Sequence, residues 1–193
     1  MKAFYSFLTL IMCCSLLWLS SCNDCTTSVA QFENGDGDWT VYEARDTLLM
    51  VDDTDIVRVF VNTRINSDPV PGDGFGPADA CIEQYYTRRT SVMQHAASPR
   101  LFPALTVVAL KTPETIRINL VVAQRADLAI PDINTPQYAQ LTLEEVTYQN
   151  VFEITNEDSG PDGVKLIQFN REFGFLHVEF SDGRTLTRIP PQL

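Results

Sequence analysis

Positive charge and histidine are scarce in this chain. Its 193 residues carry 14 lysines and arginines against 25 aspartates and glutamates, a formal net charge of -11. So acidic a surface repels phosphate backbones, which argues against nucleic acid as a partner. There are only two histidines, His95 and His177, and no His-Glu-x-x-His spacing, so no metal centre is implied. Gly-x-Ser-x-Gly is absent, which removes the commonest signature of an acyl-transfer nucleophile. The glycine-rich stretch 71–77 has Asp73 and flanking prolines where a phosphate loop needs a lysine and bare backbone donors. No catalytic residue and no cofactor follow from these patterns. Long apolar runs are missing as well, except at the start of the chain.

That exception carries information. Lys2 precedes an apolar run over residues 4–19, which ends in Ser20 and Ser21. A positive end, an apolar core and small residues at a cut site define a secretory signal. The run falls short of the roughly 18–20 residues of a spanning helix, and no basic cluster follows it. Leu19-Ser20-Ser21-Cys22 resembles the lipobox of bacterial lipoproteins. The resemblance implies cleavage before Cys22, diacylglycerol on its sulfur and acylation of the new amine. Two or more acyl chains hold a protein stably at a membrane, at about 0.8 kcal/mol per buried methylene. The membrane is therefore the expected partner, through lipid on Cys22. The expected location is the cell envelope, at the outer membrane on its periplasmic or surface face.

Cys13 and Cys14 fall within the expected signal, residues 1–21. With Cys22 assigned to lipid, Cys25 and Cys81 remain. Export places them where a disulfide persists, and joining them would close a loop of over fifty residues, worth about 4 kcal/mol on the chain-entropy model. The alternative is a pair of free thiols.

Residues 22–36 are small and polar and read as a lipid-anchored tether; residues 37–193 read as a single domain. That domain has the patterning of an all-β protein. Aromatic and β-branched runs at 39–43, 47–51, 56–61 and 104–110 predict strands. In 115–122, Ile116, Ile118, Leu120 and Val122 alternate with polar residues, the period of a half-buried strand. Further strands are predicted over 140–143, 148–154, 164–169, 175–180 and 185–189. Asp182-Gly183 predicts a type I′ hairpin, whose two central residues take positive φ. Prolines and glycines in 66–79 argue against regular structure there. Residues 80–94 fit a short helix in part, while Tyr85 and Tyr86 favour a strand. The expected fold is an antiparallel β-sandwich or curled sheet, with room for one short helix at 80–94.

The segments Tyr148-Gln149-Asn150-Val151-Phe152, Phe169-Asn170-Arg171-Glu172-Phe173-Gly174-Phe175 and Ser181-Asp182-Gly183 form a pattern. It resembles a C-terminal pattern in lipoproteins of the Bacteroidota: an aromatic strand, a basic residue, an aromatic-glycine step and a closing hairpin. The resemblance covers about forty residues and implies a β-rich envelope lipoprotein. It carries over no activity and no functional residue. Gly174 within a strand also predicts a bulge or a close backbone approach.

Carboxylates form three clusters, at 34–38, at 52–55 and at 156–163. Each has the oxygen content of a calcium loop, but none has the EF-hand spacing, and each is more simply a turn. The function expected is a non-enzymatic binding or assembly module of the envelope. Two alternatives remain: a hydrolase using paired carboxylates, and a carrier of an apolar ligand inside the curled sheet.

Overall fold

Alternation of apolar and polar residues produces strands here, and the strands follow one another with short turns. A computed structural model describes residues 25–98 and 102–190. Cys22 and the signal segment 1–21 lie outside the described residues. Among the described residues twelve strands form: β1 (Ser28–Val29), β2 (Thr47–Asp52), β3 (Val57–Pro71), β4 (Gln84–His95), β5 (Leu105–Lys111), β6 (Ile116–Val122), β7 (Ala126–Ala129), β8 (Tyr138–Leu143), β9 (Val146–Thr155), β10 (Val164–Asn170), β11 (Gly174–Phe180) and β12 (Thr185–Arg188). The protein is all-β, a curled antiparallel sheet in the shape of a half-barrel. Strand order along the sheet is β7-β6-β5-β4-β3-β2-β12-β11-β10-β9-β8, with β1 added in parallel beside β4.

This order is two meanders placed back to back. One runs from β2 to β7 and the other from β8 to β12; the antiparallel pair β2–β12 joins them. The curl brings the two halves face to face around one core, which includes Leu48, Phe60, Met93, Val107 and Ile118 from the first meander and Ile167, Phe169, Phe175 and Val178 from the second. Each such side chain contributes roughly 1.5–3 kcal/mol on burial. Trp39 closes one end, tilted on Phe152 at 5.4 Å and stacked with Phe169 at 6.5 Å. A smaller cluster of Tyr148, Val151 and Leu176 packs with Phe173 apart from that core.

Bulges decide which side chains enter the core. In the β10–β11 ladder Gln168 faces His177 and Phe169 faces Phe175, so Leu176 has no opposite residue. One extra residue reverses the side-chain alternation beyond it. Phe175 and Val178 therefore both point into the main core, while Leu176 joins the smaller cluster. A bulge at Thr63 does the same in β3.

Four expectations need correction. The helix considered at 80–94 is strand β4: Tyr86, Ser91, Met93 and His95 are buried, and the whole length pairs with β3. Cross-strand partners on both sides override the weak helical spacing. Residues 66–71, expected to be irregular, extend β3. Pro69 and Pro71 are tolerated because that part of β3 is an edge, where a missing N–H removes no ladder bond. Residues 39–43 form no strand; Asp36–Trp39 is a 3-10 turn that inserts Trp39 into the barrel end. At the last hairpin only Gly183 has positive φ, at 90°, so the type I′ expectation fails. The Gly183 amide bonds to the Phe180 carbonyl and the Phe180 amide to the Arg184 carbonyl, a three-residue loop with a bulge.

Cys25 and Cys81 are joined by a disulfide, with Cα atoms 5.7 Å apart. Backbone bonds from Ser28 to Glu83 and from Ala30 to Tyr85, both 2.9 Å, continue the attachment. From Cys25 onward, the segment expected to be a tether is thus fastened to the body.

Candidate functional site

At one end of the half-barrel a groove opens between the β3–β4 hairpin and the segment leading into β2. It encloses about 590 Å³ and is lined by Tyr42, Glu43, Ile65, Arg89, Arg171 and Glu172, among others. One wall is the inner face of β3 and β4, where Arg89 stands opposite Ser67 and Ile65 opposite Ser91. The other wall is residues 38–44. Asn62 fixes the distance between the walls: its Nδ2 donates to the carbonyls of Tyr42 (3.1 Å) and Glu43 (2.8 Å) and to Ser91 Oγ (3.1 Å). Asn62 is buried, and such a group stays stable there because its donors are satisfied.

Two arginines in this groove are held differently. Arg171 is engaged: its Nη2 donates to the Gly35 carbonyl at 2.8 Å and approaches Asp38 at 3.3 Å, and its guanidinium lies 4.8 Å over the Trp39 ring. Arg89 is half-buried and has no partner among the described residues. Arg45, Arg64 and Arg88 are exposed and likewise have no partner among the described residues. The other described cations are engaged: Arg58 with Asp52, Lys111 with Asp36, Arg117 with Asp73, Lys165 with Glu179 and Arg184 with Asp182, while Arg125 and Arg188 donate to carbonyls. The unengaged cations all lie on the far half of the β3–β4 hairpin or in the turn before β2.

That part of β3 is also open at its backbone. β2 covers β3 only as far as Val61, and the last contact on that side is the Asn62 amide on the Asp46 carbonyl at 2.8 Å. After the Thr63 bulge, β3 pairs with β4 alone. Gly72 donates to the Gln84 carbonyl at 2.8 Å, which fixes the parity of the ladder. Residues 66, 68 and 70 turn their backbone groups toward β4; residues 65, 67, 69 and 71 turn theirs outward. The outward N–H groups are those of Ile65 and Ser67, since Pro69 and Pro71 have none.

The residues singled out in the sequence have other roles. His95 is buried between Phe60 (5.5 Å) and Phe102 (5.0 Å), and its Nδ1 accepts from the Ser98 amide at 3.0 Å, so it belongs to the core. His177 is half-buried beside β12, its Nδ1 2.8 Å from Thr187 Oγ1. Burial pushes its imidazole below the ordinary value, against the opposing pull of Glu179 and Glu153. Among the described residues no group of three or more His, Cys, Asp or Glu is arranged to hold a metal ion.

The acidic clusters are turns and ion pairs. Asp36 accepts from the Glu33 amide and pairs with Lys111 at 3.0 Å. Asp52 accepts from the Thr54 and Ile56 amides and the Thr54 hydroxyl, and pairs with Arg58. In the third cluster the Asn156 amide bonds to the Lys165 carbonyl, closing a hairpin.

Sequence reasoning missed the groove and its arginines. The signal available was the Arg88-Arg89 pair, a doublet of positive charge in a strongly acidic chain. No helix among the described residues is long and apolar enough to cross a membrane. Comparison with known families, characterised proteins and solved structures yields no significant match to this chain.

Proposed function

We propose that this is a lipid-anchored envelope protein whose half-barrel serves as a non-enzymatic binding or assembly module. Cys22 bears the lipid, the membrane is its partner through that lipid, and the location proposed is the outer membrane. The lipobox-like Leu19-Ser20-Ser21-Cys22 and the C-terminal pattern resembling Bacteroidota lipoproteins support this reading.

The single observation that carries it is the position of Cys25. Only Asn23 and Asp24 separate Cys22 from a cysteine covalently joined to the body of the domain. At about 3.6 Å per extended residue, a lipid on Cys22 would hold the domain within roughly 10 Å of the bilayer surface. A short, covalently fastened lead of this kind suits a presented surface better than a long arm does. For the binding half of the reading, the support is the groove with its unpaired Arg89 and the open β3 edge.

Radiolabelled palmitate fed to cells expressing the full chain tests the anchor. Label is expected in the wild type and lost in Cys22→Ala. Label retained by Cys22→Ala, or a native chain whose amino end lacks lipid mass, refutes it.

A further inference from the structure

We propose that the outer half of β3 is a docking edge for an extended acidic peptide segment of a partner protein, which adds as a strand beside residues 63–68. This deepens the binding role proposed above and rests on it, though not on the lipid.

Two independent features meet at this edge. The first is the backbone. Ile65 and Ser67 present outward N–H and C=O groups with no strand beside them among the described residues, and residues 63–69 are all exposed. Unpaired edge groups accept a further strand through main-chain hydrogen bonds, whatever its side chains. Pro69 and Pro71 have no N–H to offer and set the limit of the edge on one side. The Asn62 bond to Asp46 sets it on the other. What remains accommodates about five residues, roughly 17 Å of strand.

The second feature is charge. Arg64 and Arg88 lie on one face of the β3–β4 ladder and Arg89 on the other. None of the three has a partner among the described residues, although the chain carries 25 acidic side chains. Asp68, directly opposite Arg88, makes no ion pair with it, and Glu43 and Glu172 share the groove with Arg89. A strand added beside residues 63–68 sends alternate side chains to the two faces. Acidic groups on both faces would then meet Arg64 and Arg88 on one side and Arg89 on the other.

A second copy of this chain fits less well: paired through Ile65 and Ser67 it would bring Asp68 to the Arg64 face but only Ile65, Ser67 and Pro69, no acidic side chain, to the Arg89 face. The outward amides distinguish a peptide from an acidic glycan, which would use the arginines but not Ile65 and Ser67.

The test uses the purified full chain in mild detergent and a fluorescein-labelled peptide of repeated Asp-Asp-Val-Val, which as a strand carries aspartate on both faces, read by fluorescence anisotropy. Saturable binding is expected, weakened at least about tenfold by Arg64→Glu combined with Arg89→Glu, and strongly weakened by raised salt. Ser67→Pro, which removes one outward donor, is expected to reduce affinity by about tenfold as well. Should Ser67→Pro fail to fold, amide exchange in the wild type decides instead: the Ile65 and Ser67 amides become protected when peptide is added. No binding at millimolar peptide overturns the proposal. So does equal binding of polygalacturonate with no protection of those amides, which would make the arginines a polyanion site without strand pairing. Palmitate incorporation is unaffected by any of these variants, so failure here is separate from failure of the anchor.

Discussion

The hydroxyl of Tyr42 occupies the space that a side chain at position 174 would need. Gly174 has φ 81°, and a Cβ built on it would collide with Tyr42 Oη. The same oxygen accepts the Phe175 amide at 2.8 Å. Burial pushes the phenol up to about 12, so it stays protonated at neutral pH. Two residues 132 positions apart in sequence (174 less 42) thereby lock the segment before β2 onto the start of β11.

Gly174→Ala is expected to cost about 2–4 kcal/mol, from collision and left-handed backbone together. Tyr42→Phe leaves the Phe175 amide without its acceptor and is expected to cost about 1–3 kcal/mol. Gly160, with open space around it, provides the control: Gly160→Ala should change stability by less than about 0.5 kcal/mol. Urea unfolding of the full chain measures all three. Wild-type stability in Gly174→Ala would disprove the close approach.

Acid should weaken the β2–β3 turn through Asp52. Burial acts against its charge, but donors from Thr54, Ile56 and Arg58 outweigh that and hold the carboxyl well below the usual carboxylate range. A carboxyl depressed in the fold stabilises above its unfolded pKa, about 3.9, and that contribution fades as pH falls below it. Asp52→Asn is expected to cost about 2–4 kcal/mol at neutral pH. Stability curves of wild type and variant should converge as pH drops below about 4. Parallel curves down to pH 2 would show that Asp52 does not carry the effect.

His177 should respond in the opposite sense to a surface histidine gaining an acidic partner. Its pKa is lowered by burial, so the folded chain resists protonation there. Stability from this group is complete above the unfolded value of about 6.5 and declines as pH falls from there toward the lower folded value. Titration of the ring followed by NMR should give a midpoint below 6.5, and His177→Gln should flatten that part of the stability profile. A midpoint above 6.5 contradicts the assignment.

Replacing Cys25 and Cys81 together by serine is expected to cost about 4 kcal/mol, from the loop they close. Amides of Ser28 and Ala30, bonded to Glu83 and Tyr85, should then exchange faster with solvent than in the wild type. Unchanged exchange would show that β1 holds without the bond.

The clearest strand pattern in the sequence belongs to β6, which has a neighbour on both flanks. Residues 115–122 alternate cleanly because Ile116, Ile118, Leu120 and Val122 all enter the core. β4 was ambiguous since its buried residues include Thr87, Ser91 and His95, polar side chains that hide the period. β3 was cut short because Pro69 and Pro71 read as breakers, and only the three-dimensional arrangement reveals them at an edge. Trp39 looked like strand material by composition, yet it serves as a plug. Of the candidate site, the Arg88-Arg89 doublet stands in the sequence but carries no site reading there; the edge beside it leaves no trace at all, because an unpaired strand differs from a paired one only in its neighbours.

The seam between β2 and β12 governs when the fold can close. Until Thr185–Arg188 docks, β2 has a neighbour on one side only. The first meander therefore stays half-enclosed until β12, distant in sequence, closes the curl. A chain lacking residues 185–188 would leave two open sheets in place of one, ready substrates for proteases.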